Sequence, residues 1–175
     1  VPLVATIESK ATVTATELAA TGQDFSQIMN DTPTEQARAK IVEKLITSHP
    51  NAADVNLQTG EENFSGLHRS IINLQPSTVK VFTDFKPTNF RLVDRDGQAP
   101  LHMVADYRNE NQKLNEQANM QKEKQITELI IPLLNAINIQ DKNGNTPLHT
   151  AVICSNVDVV AAIYVNVLLL ARLPP

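Results

Sequence analysis

Three of the four histidines and the single cysteine of this chain lie in patterns that could suggest metal binding or nucleophilic catalysis. Each of His68, His102 and His149 follows a leucine, and Cys154 lies shortly after the last of them. Histidine is the commonest metal ligand in proteins, and a thiolate needs a neighbouring base or cation to become a strong nucleophile. The histidines are 34 and 47 residues apart, and nothing in the sequence places a base beside Cys154. We therefore expect no catalytic thiol, and whether the histidines can share a metal depends on the fold that positions them.

Other signatures of enzymes and nucleic-acid-binding proteins are absent from the sequence. It contains no HExxH, GxSxG or CxxC motif, and its five glycines form no Gly-rich loop for a phosphate. Fifteen basic residues against nineteen acidic ones give a net charge of −4, which argues against a nucleic-acid partner. We expect a non-enzymatic protein that needs no cofactor.

The same short pattern surrounds each histidine. In the clearest copy, Gly144 marks a tight turn and Pro147 pre-sets the first turn of a helix. A second copy keeps the same offsets, and a weaker third copy has Asn63 in place of the turn glycine, which asparagine tolerates best among ordinary residues. The residues that define the copies are Leu67 and His68; Gly97, Pro100, Leu101 and His102; and Gly144, Thr146, Pro147, Leu148 and His149.

This pattern resembles the ankyrin-repeat family, whose repeats combine a turn, a TPLH-like helix start, two antiparallel helices and an ADVN-like exit. The motif Thr146-Pro147-Leu148-His149 is intact, and Ala53-Asp54-Val55-Asn56 matches the exit. One interval between histidines is close to the ankyrin period of about 33 residues, and the other adds about 14. The resemblance implies an all-α solenoid of about three to four repeats with short hairpin-like turns. It also implies that each histidine bonds backbone or hydroxyl groups across its own turn. Histidines of successive repeats would then lie about 10 Å apart, too far to share a metal.

The predicted domain organisation follows from these repeats. Residues 1–33 are an N-terminal cap, a degenerate repeat start or a linker, and residues 34–173 are the repeat domain. Thr34 is a plausible cap for a helix with an apolar stripe that ends near Pro50. An insertion of about residues 107–125 in the third repeat delays its second helix to around Ile126, and Pro132 should then bend or end that helix. The insertion is rich in helix formers and extends one or both helices into solvent, the alternative being an unstructured loop.

The resemblance implies a function in protein binding, through the concave face and the turn tips. Positions one, four or five residues after each histidine, with two basic tip residues, form the predicted partner-binding set: Arg69, Ile72, Asn73, Met103, Asp106, Tyr107, Thr150, Ile153, Arg95 and Lys142. An alternative is a regulatory or substrate-recruiting part of a larger enzyme, which the non-Met start and the apolar C-terminal end favour. That apolar end is also a candidate for self-association.

The cellular context is predicted from composition. A single cysteine fits a reducing compartment, and the longest apolar run is shorter than the roughly 20 residues that a bilayer requires. Abundant Asn and Gln, together with degenerate repeats, are similar to ankyrin proteins of intracellular bacteria that act in host cells. We therefore expect a cytoplasmic protein, or an effector secreted into the cytosol or nucleus of a host cell.

Overall fold

The described part of this chain, in a computed structural model, comprises residues 34–48, 55–106 and 116–171. An isolated bridge joins Thr59 and Phe64, but these residues form no strand, which confirms the all-helical class for the described ranges. In chain order the elements are α1 (Glu35–Ser48), α2 (Gly66–Ile72), α3 (Pro76–Asp84), α4 (Pro100–Ala105), α5 (Glu116–Thr127), a 3-10 helix (Ile131–Ala136), α6 (Pro147–Ile153) and α7 (Val157–Ala171).

The helices pack in two rows. The inner row consists of α2, α4 and α6, which contact one another in that order, and the outer row consists of α1, α3, α5 and α7. The inner helices have only six or seven residues each, far fewer than an isolated helix needs for stability in water. Packing between the rows must therefore stabilise them.

A single apolar cluster runs between the rows. Its fully buried members include Val42 from α1, Phe82 from α3 and Leu101 from α4, and it continues to Ile163 on α7. Since several helices supply its members, the cluster depends on neighbouring helices being in place.

Helix α1 follows its sequence closely. The hydroxyl oxygen of Thr34 accepts a hydrogen bond from the backbone N–H of Ala37 at 3.3 Å, as expected of an N-cap. Val42, Leu45 and Ile46 from the predicted apolar stripe are buried. The helix is described as far as Ser48, and its predicted end near Pro50 lies outside the described residues.

The third outer helix includes the second half of the predicted insertion. The second helix of this repeat was predicted around Ile126, with the insertion extending one or both helices, and α5 runs over Glu116–Thr127. This extent has a local cause, since residues 116–125 are mostly good helix formers. Met120 is exposed, whereas Ile126 is buried at the end of the helix. Pro132 lies at the start of the separate 3-10 helix, where its missing N–H is tolerated.

Two sequence predictions fall partly or wholly outside the described residues. They are the N-terminal segment 1–33 and the first part of the predicted insertion, residues 107–115. Among the described helices, none is both long and apolar enough to cross a bilayer.

Candidate functional site

Each inner helix is preceded by a tight turn that its sequence specifies. Gly97 and Gly144 have φ values of 77° and 79°, and Asn63 occupies the equivalent position with φ 56°. This left-handed region favours glycine and tolerates asparagine. The structure therefore confirms that Asn63 replaces the turn glycine in the weaker copy.

An aspartate closes each of the two later turns. A carboxylate oxygen of Asp94 accepts the backbone N–H groups of Asp96 and Gln98, both at 2.8 Å. Asp141 accepts two N–H groups at 2.8 Å in the same way. Burial raises the pKa of Asp94, and these two N–H groups act in the opposite direction. The carboxylates thus satisfy backbone donors inside the turns.

The turns are joined to one another through backbone hydrogen bonds. The N–H of Arg95 donates to the carbonyl of Glu62, and the N–H of Lys142 donates to the carbonyl of Asp96, both at 2.9 Å. A Cβ atom on Gly97 would lie 3.1 Å from the nitrogen of Lys142. The turns therefore lie edge to edge, and a glycine lets them approach.

The motif histidines cap the helices that they begin. The Nδ1 atom of His68 lies 2.7 Å from the hydroxyl of Ser65 and 3.2 Å from its backbone nitrogen. His149 makes the same contacts with Thr146, at 2.7 and 3.2 Å. In the central copy Ala99 has no hydroxyl, and its N–H alone donates to His102 at 3.1 Å. In all three copies Nδ1 is therefore an acceptor, which places the ring proton on Nε2.

The Nε2 side of each ring faces the next turn where one follows. The Nε2 of His102 lies 2.9 Å from the carbonyl of Asn145. The Nε2 atom of His68 is buried near the carbonyls of Gln98 and Leu92, but no hydrogen bond of good geometry joins it to either. These contacts join consecutive repeats through a neutral ring.

Burial disfavours the charged form of two of these histidines. It lowers the pKa of His68 from 6.5 to about 4, although the nearby carbonyls act in the opposite direction. Burial also lowers the pKa of His102, against the carbonyl of Asn145 and the charges of Asp141 and Asp94.

The geometry gives these residues structural roles. Each histidine is bonded within its own repeat, as the resemblance implied. The described residues hold no group of three or more His, Cys, Asp or Glu side chains that could bind a metal. Cys154 is buried, and its thiol donates to a carboxylate oxygen of Asp106 at 3.3 Å, which links the ends of α6 and α4.

The predicted partner-binding residues differ in exposure. Met103 and Thr150 are each only 8% exposed, so they offer a partner little surface. Tyr107 lies outside the described residues. Arg69 and Ile72 are half-buried, and the exposed members are Asn73, Arg95, Asp106, Lys142 and Ile153.

One residue that the sequence analysis missed supports this surface. The guanidinium carbon of Arg69 lies 4.6 Å from the centre of the Phe64 ring, in a cation–π contact. That ring also stacks against the ring of His68, with centroids 6.0 Å apart. An aromatic residue four positions before the histidine was the signal available in the sequence. At the neighbouring tip Arg95 pairs with the carboxylate of Glu62 at 3.1 Å.

These observations define a candidate surface, the tip surface, which consists of the turn tips and the exposed ends of the inner helices. It carries both signs of charge and aliphatic side chains. Its members are Arg69, Ile72, Asn73, Arg95, Asp106, Lys142 and Ile153.

Comparison with known families agrees with this geometry. A search of curated proteins gave no significant match. Residues 143–170 match the family model of the ankyrin repeat. The matched segment contains the tight turn at Gly144, the inner helix α6 and most of the outer helix α7. The chain thus contains an ankyrin repeat, in which Pro147 begins the inner helix and Val157 begins the outer one.

Proposed function

We propose that this chain is a non-catalytic protein-interaction module that binds a partner protein through the tip surface. Ankyrin repeats typically bind proteins and lack catalysis, and one lies at residues 143–170. The observation that carries the proposal is the hydrogen-bonded row of turns at Glu62, Asp96 and Lys142. Such a row places equivalent residues of successive repeats side by side on a rigid support, as in other solenoids.

The composition of the tip surface suits protein recognition. Arg95, which pairs with Glu62, and Lys142 provide exposed positive charges, and Ile72 and Ile153 provide aliphatic area. Apolar centres surrounded by mixed polar groups are typical of protein interfaces. Met103 and Thr150 are buried and are left out of this surface, and we retain Tyr107 as a predicted member.

The repeat arrangement extends this proposal. We infer three helical hairpins, α2 with α3, α4 with α5 and α6 with α7, preceded by α1 as the outer helix of another repeat. The first part of α5 covers residues 116–125 of the insertion, and we infer that the insertion of residues 107–125 is a helical extension rather than a loop. We propose that this projection contributes to the choice of partner.

Two double variants test the tip surface. Arg95→Glu with Lys142→Glu reverses two exposed tip charges. The control, Lys80→Glu with Lys124→Glu, makes the same charge change on the outer row. The two variants are matched, since Lys80 pairs with Asp84 at 2.8 Å much as Arg95 pairs with Glu62. Each protein is used to capture partners from a eukaryotic cell lysate, with identification by mass spectrometry.

The expected result is a partner that the wild type and the control retain and that the tip variant loses. Charge reversal at two contacts should weaken binding at least about tenfold, since like charges across an interface cost several kcal/mol. Retention by the tip variant would reject this surface. The absence of any specific partner for the wild type would reject the interaction module itself.

The wider predictions from the sequence stay predictions. They are the role as a secreted effector in a host cell, the alternative role as a recruiting or regulatory part of a larger enzyme, and self-association through the apolar C-terminal end. The last concerns the apolar end around Leu168 to Leu173, of which Leu168 and Leu169 are exposed on α7.

A further inference from the structure

Asn143 and Gly144 form the only Asn–Gly pair in the sequence. Every other asparagine is followed by a residue that has a side chain. The backbone nitrogen that follows an asparagine can attack the carbon of the side-chain amide, and glycine leaves this approach open because it has no Cβ. The sequence therefore favours one position for this intramolecular reaction.

The structure leaves the carboxamide of Asn143 accessible. Asn143 is exposed, and its side chain makes no hydrogen bond with the described residues. A Cβ atom on Gly144 would meet nothing within 4 Å, so a ring between the two residues has space to form. Ring closure must open the hydrogen bond from the N–H of Gly144 to the carbonyl of Asp141, which is 2.9 Å long. Several other asparagine carboxamides are held by backbone groups, including those of Asn56, Asn89, Asn156 and Asn166.

The equivalent position of the preceding turn is held more firmly. Asp96 precedes Gly97 there, and the backbone carbonyl of Asp96 accepts the N–H of Lys142 at 2.9 Å. A Cβ atom on Gly97 would lie 3.1 Å from the nitrogen of Lys142. The backbone carbonyl of Asn143 accepts no hydrogen bond from a described residue. The peptide that follows Asn143 can therefore rotate without breaking a contact with another turn.

We propose that Asn143 is a site of spontaneous deamidation in the folded chain. The nitrogen of Gly144 loses its proton and bonds to Cγ of Asn143, and the Cγ–Nδ2 bond breaks to release ammonia. Water then opens the resulting five-membered imide at either carbonyl, which leaves aspartate or isoaspartate. One water is consumed and one ammonia is released, without any oxidation or reduction.

The product changes the charge of the last turn tip, a consequence for partner binding that rests on the proposed function. The equivalents of Asn143 in the two earlier turns are Glu62 and Asp96. Deamidation therefore gives the last tip the acidic group that the earlier tips already carry. Isoaspartate also lengthens the main chain between the N–H groups of Asn143 and Asn145, both of which lie 2.8 Å from the carboxylate of Asp141. This isomer should loosen the turn.

Incubation of the full chain in mildly alkaline buffer tests the proposal. Samples are digested at acid pH, where ring closure is slow, and mass spectrometry with electron-transfer fragmentation locates each converted asparagine. Asn143 should convert at least about tenfold faster than any other asparagine, because the residue that follows it has no Cβ. Isoaspartate should accompany aspartate at this position, since direct hydrolysis of the amide gives aspartate alone.

The variant Asp96→Asn supplies a matched second Asn–Gly pair in the preceding turn. In the folded protein this new pair should react at least about tenfold more slowly than the pair at Asn143, because a contact with the next turn must open first. In concentrated urea the two pairs should react at equal rates, since each follows a basic residue and precedes an amide residue. Circular dichroism checks that the variant is folded in buffer.

Three results would overturn parts of this reasoning. A rate at Asn143 no higher than at the other asparagines overturns the proposal, and aspartate without isoaspartate overturns the cyclic route. Equal rates for the two pairs in the folded Asp96→Asn variant overturn the role of the turn contacts. None of these readouts depends on a partner, so the modification and the proposed binding function can fail separately.

Discussion

Mild acid should destabilise this fold through one buried histidine. His68 is fully buried, and burial lowers its pKa from 6.5 to about 4. Between these values the unfolded chain binds more protons than the folded protein. The contribution of the neutral, buried His68 ring to the unfolding free energy is therefore fully present above pH 6.5 and is lost as the pH falls towards 4.

The expected loss follows from proton linkage. Each pH unit between the two pKa values removes about 1.4 kcal/mol of unfolding free energy for one group. From pH 6.5 to pH 5 the loss from His68 is about 2 kcal/mol, and the lowered pKa of His102 acts in the same direction. Asp94 acts in the opposite direction, because burial raises its pKa and protonation removes the buried charge. The total unfolding free energy of a typical domain is only about 5 to 15 kcal/mol.

Urea unfolding followed by far-UV circular dichroism suits this chain, which has no tryptophan. We expect His68→Gln to be less stable than the wild type near pH 7.5, because it disrupts the cap at Ser65. Its unfolding free energy should nevertheless fall less between pH 6.5 and pH 5, because the buried titrating group is gone. The control is His149→Gln, which changes the exposed motif histidine and should retain the wild-type slope.

Equal unfolding free energies of the wild type at pH 7 and pH 5 would refute this mechanism. So would equal slopes for the wild type and His68→Gln. If only His149→Gln lost the slope, the acid sensitivity would belong to the exposed histidine and burial would not explain it.

Three further predictions concern the backbone. Gly97→Ala should cost about 1 kcal/mol more than Gly144→Ala in unfolding free energy, since both have positive φ but only the first meets a neighbouring turn. Ser155→Gly should stabilise the fold by about 0.5 to 1 kcal/mol, because Ser155 is exposed and its φ of 55° favours glycine. Leu74 has a similar φ of 49° but is only 3% exposed, so Leu74→Gly should destabilise the fold by losing core packing. Ala99→Ser should raise the unfolding free energy by about 1 kcal/mol, because it supplies the missing cap hydroxyl. Urea titrations measure all three, and an opposite order within either pair, or no gain for Ala99→Ser, would contradict the explanation given.

The turns and helix starts were predictable because their causes are local. Gly97 and Gly144 adopt positive φ, and the motif histidines hydrogen-bond within their own turns. Pro76 begins α3, as its fixed φ favours. Residues 116–125 are rich in helix formers, which was the reason to predict a helical extension there, and α5 covers them.

Burial on the inner row could not be predicted in the same way. Counting positions from the motif histidine treats all repeats as equivalent, but the neighbours of a repeat decide which positions are exposed. Met103 was predicted to bind a partner and is buried, because α4 is enclosed by helices on both sides. Val152 was not predicted and is exposed, because no described helix follows α7 in the stack.

Exposure at the tip surface depends on neighbours in the same way. The turn tips are exposed in all three copies, at Glu61, Arg95 and Lys142. The position five residues after the motif histidine is exposed at Asn73 but buried at Cys154. A partner of the tip surface can therefore contact the turns of several repeats at once, whereas the helix ends available to it differ from one repeat to the next.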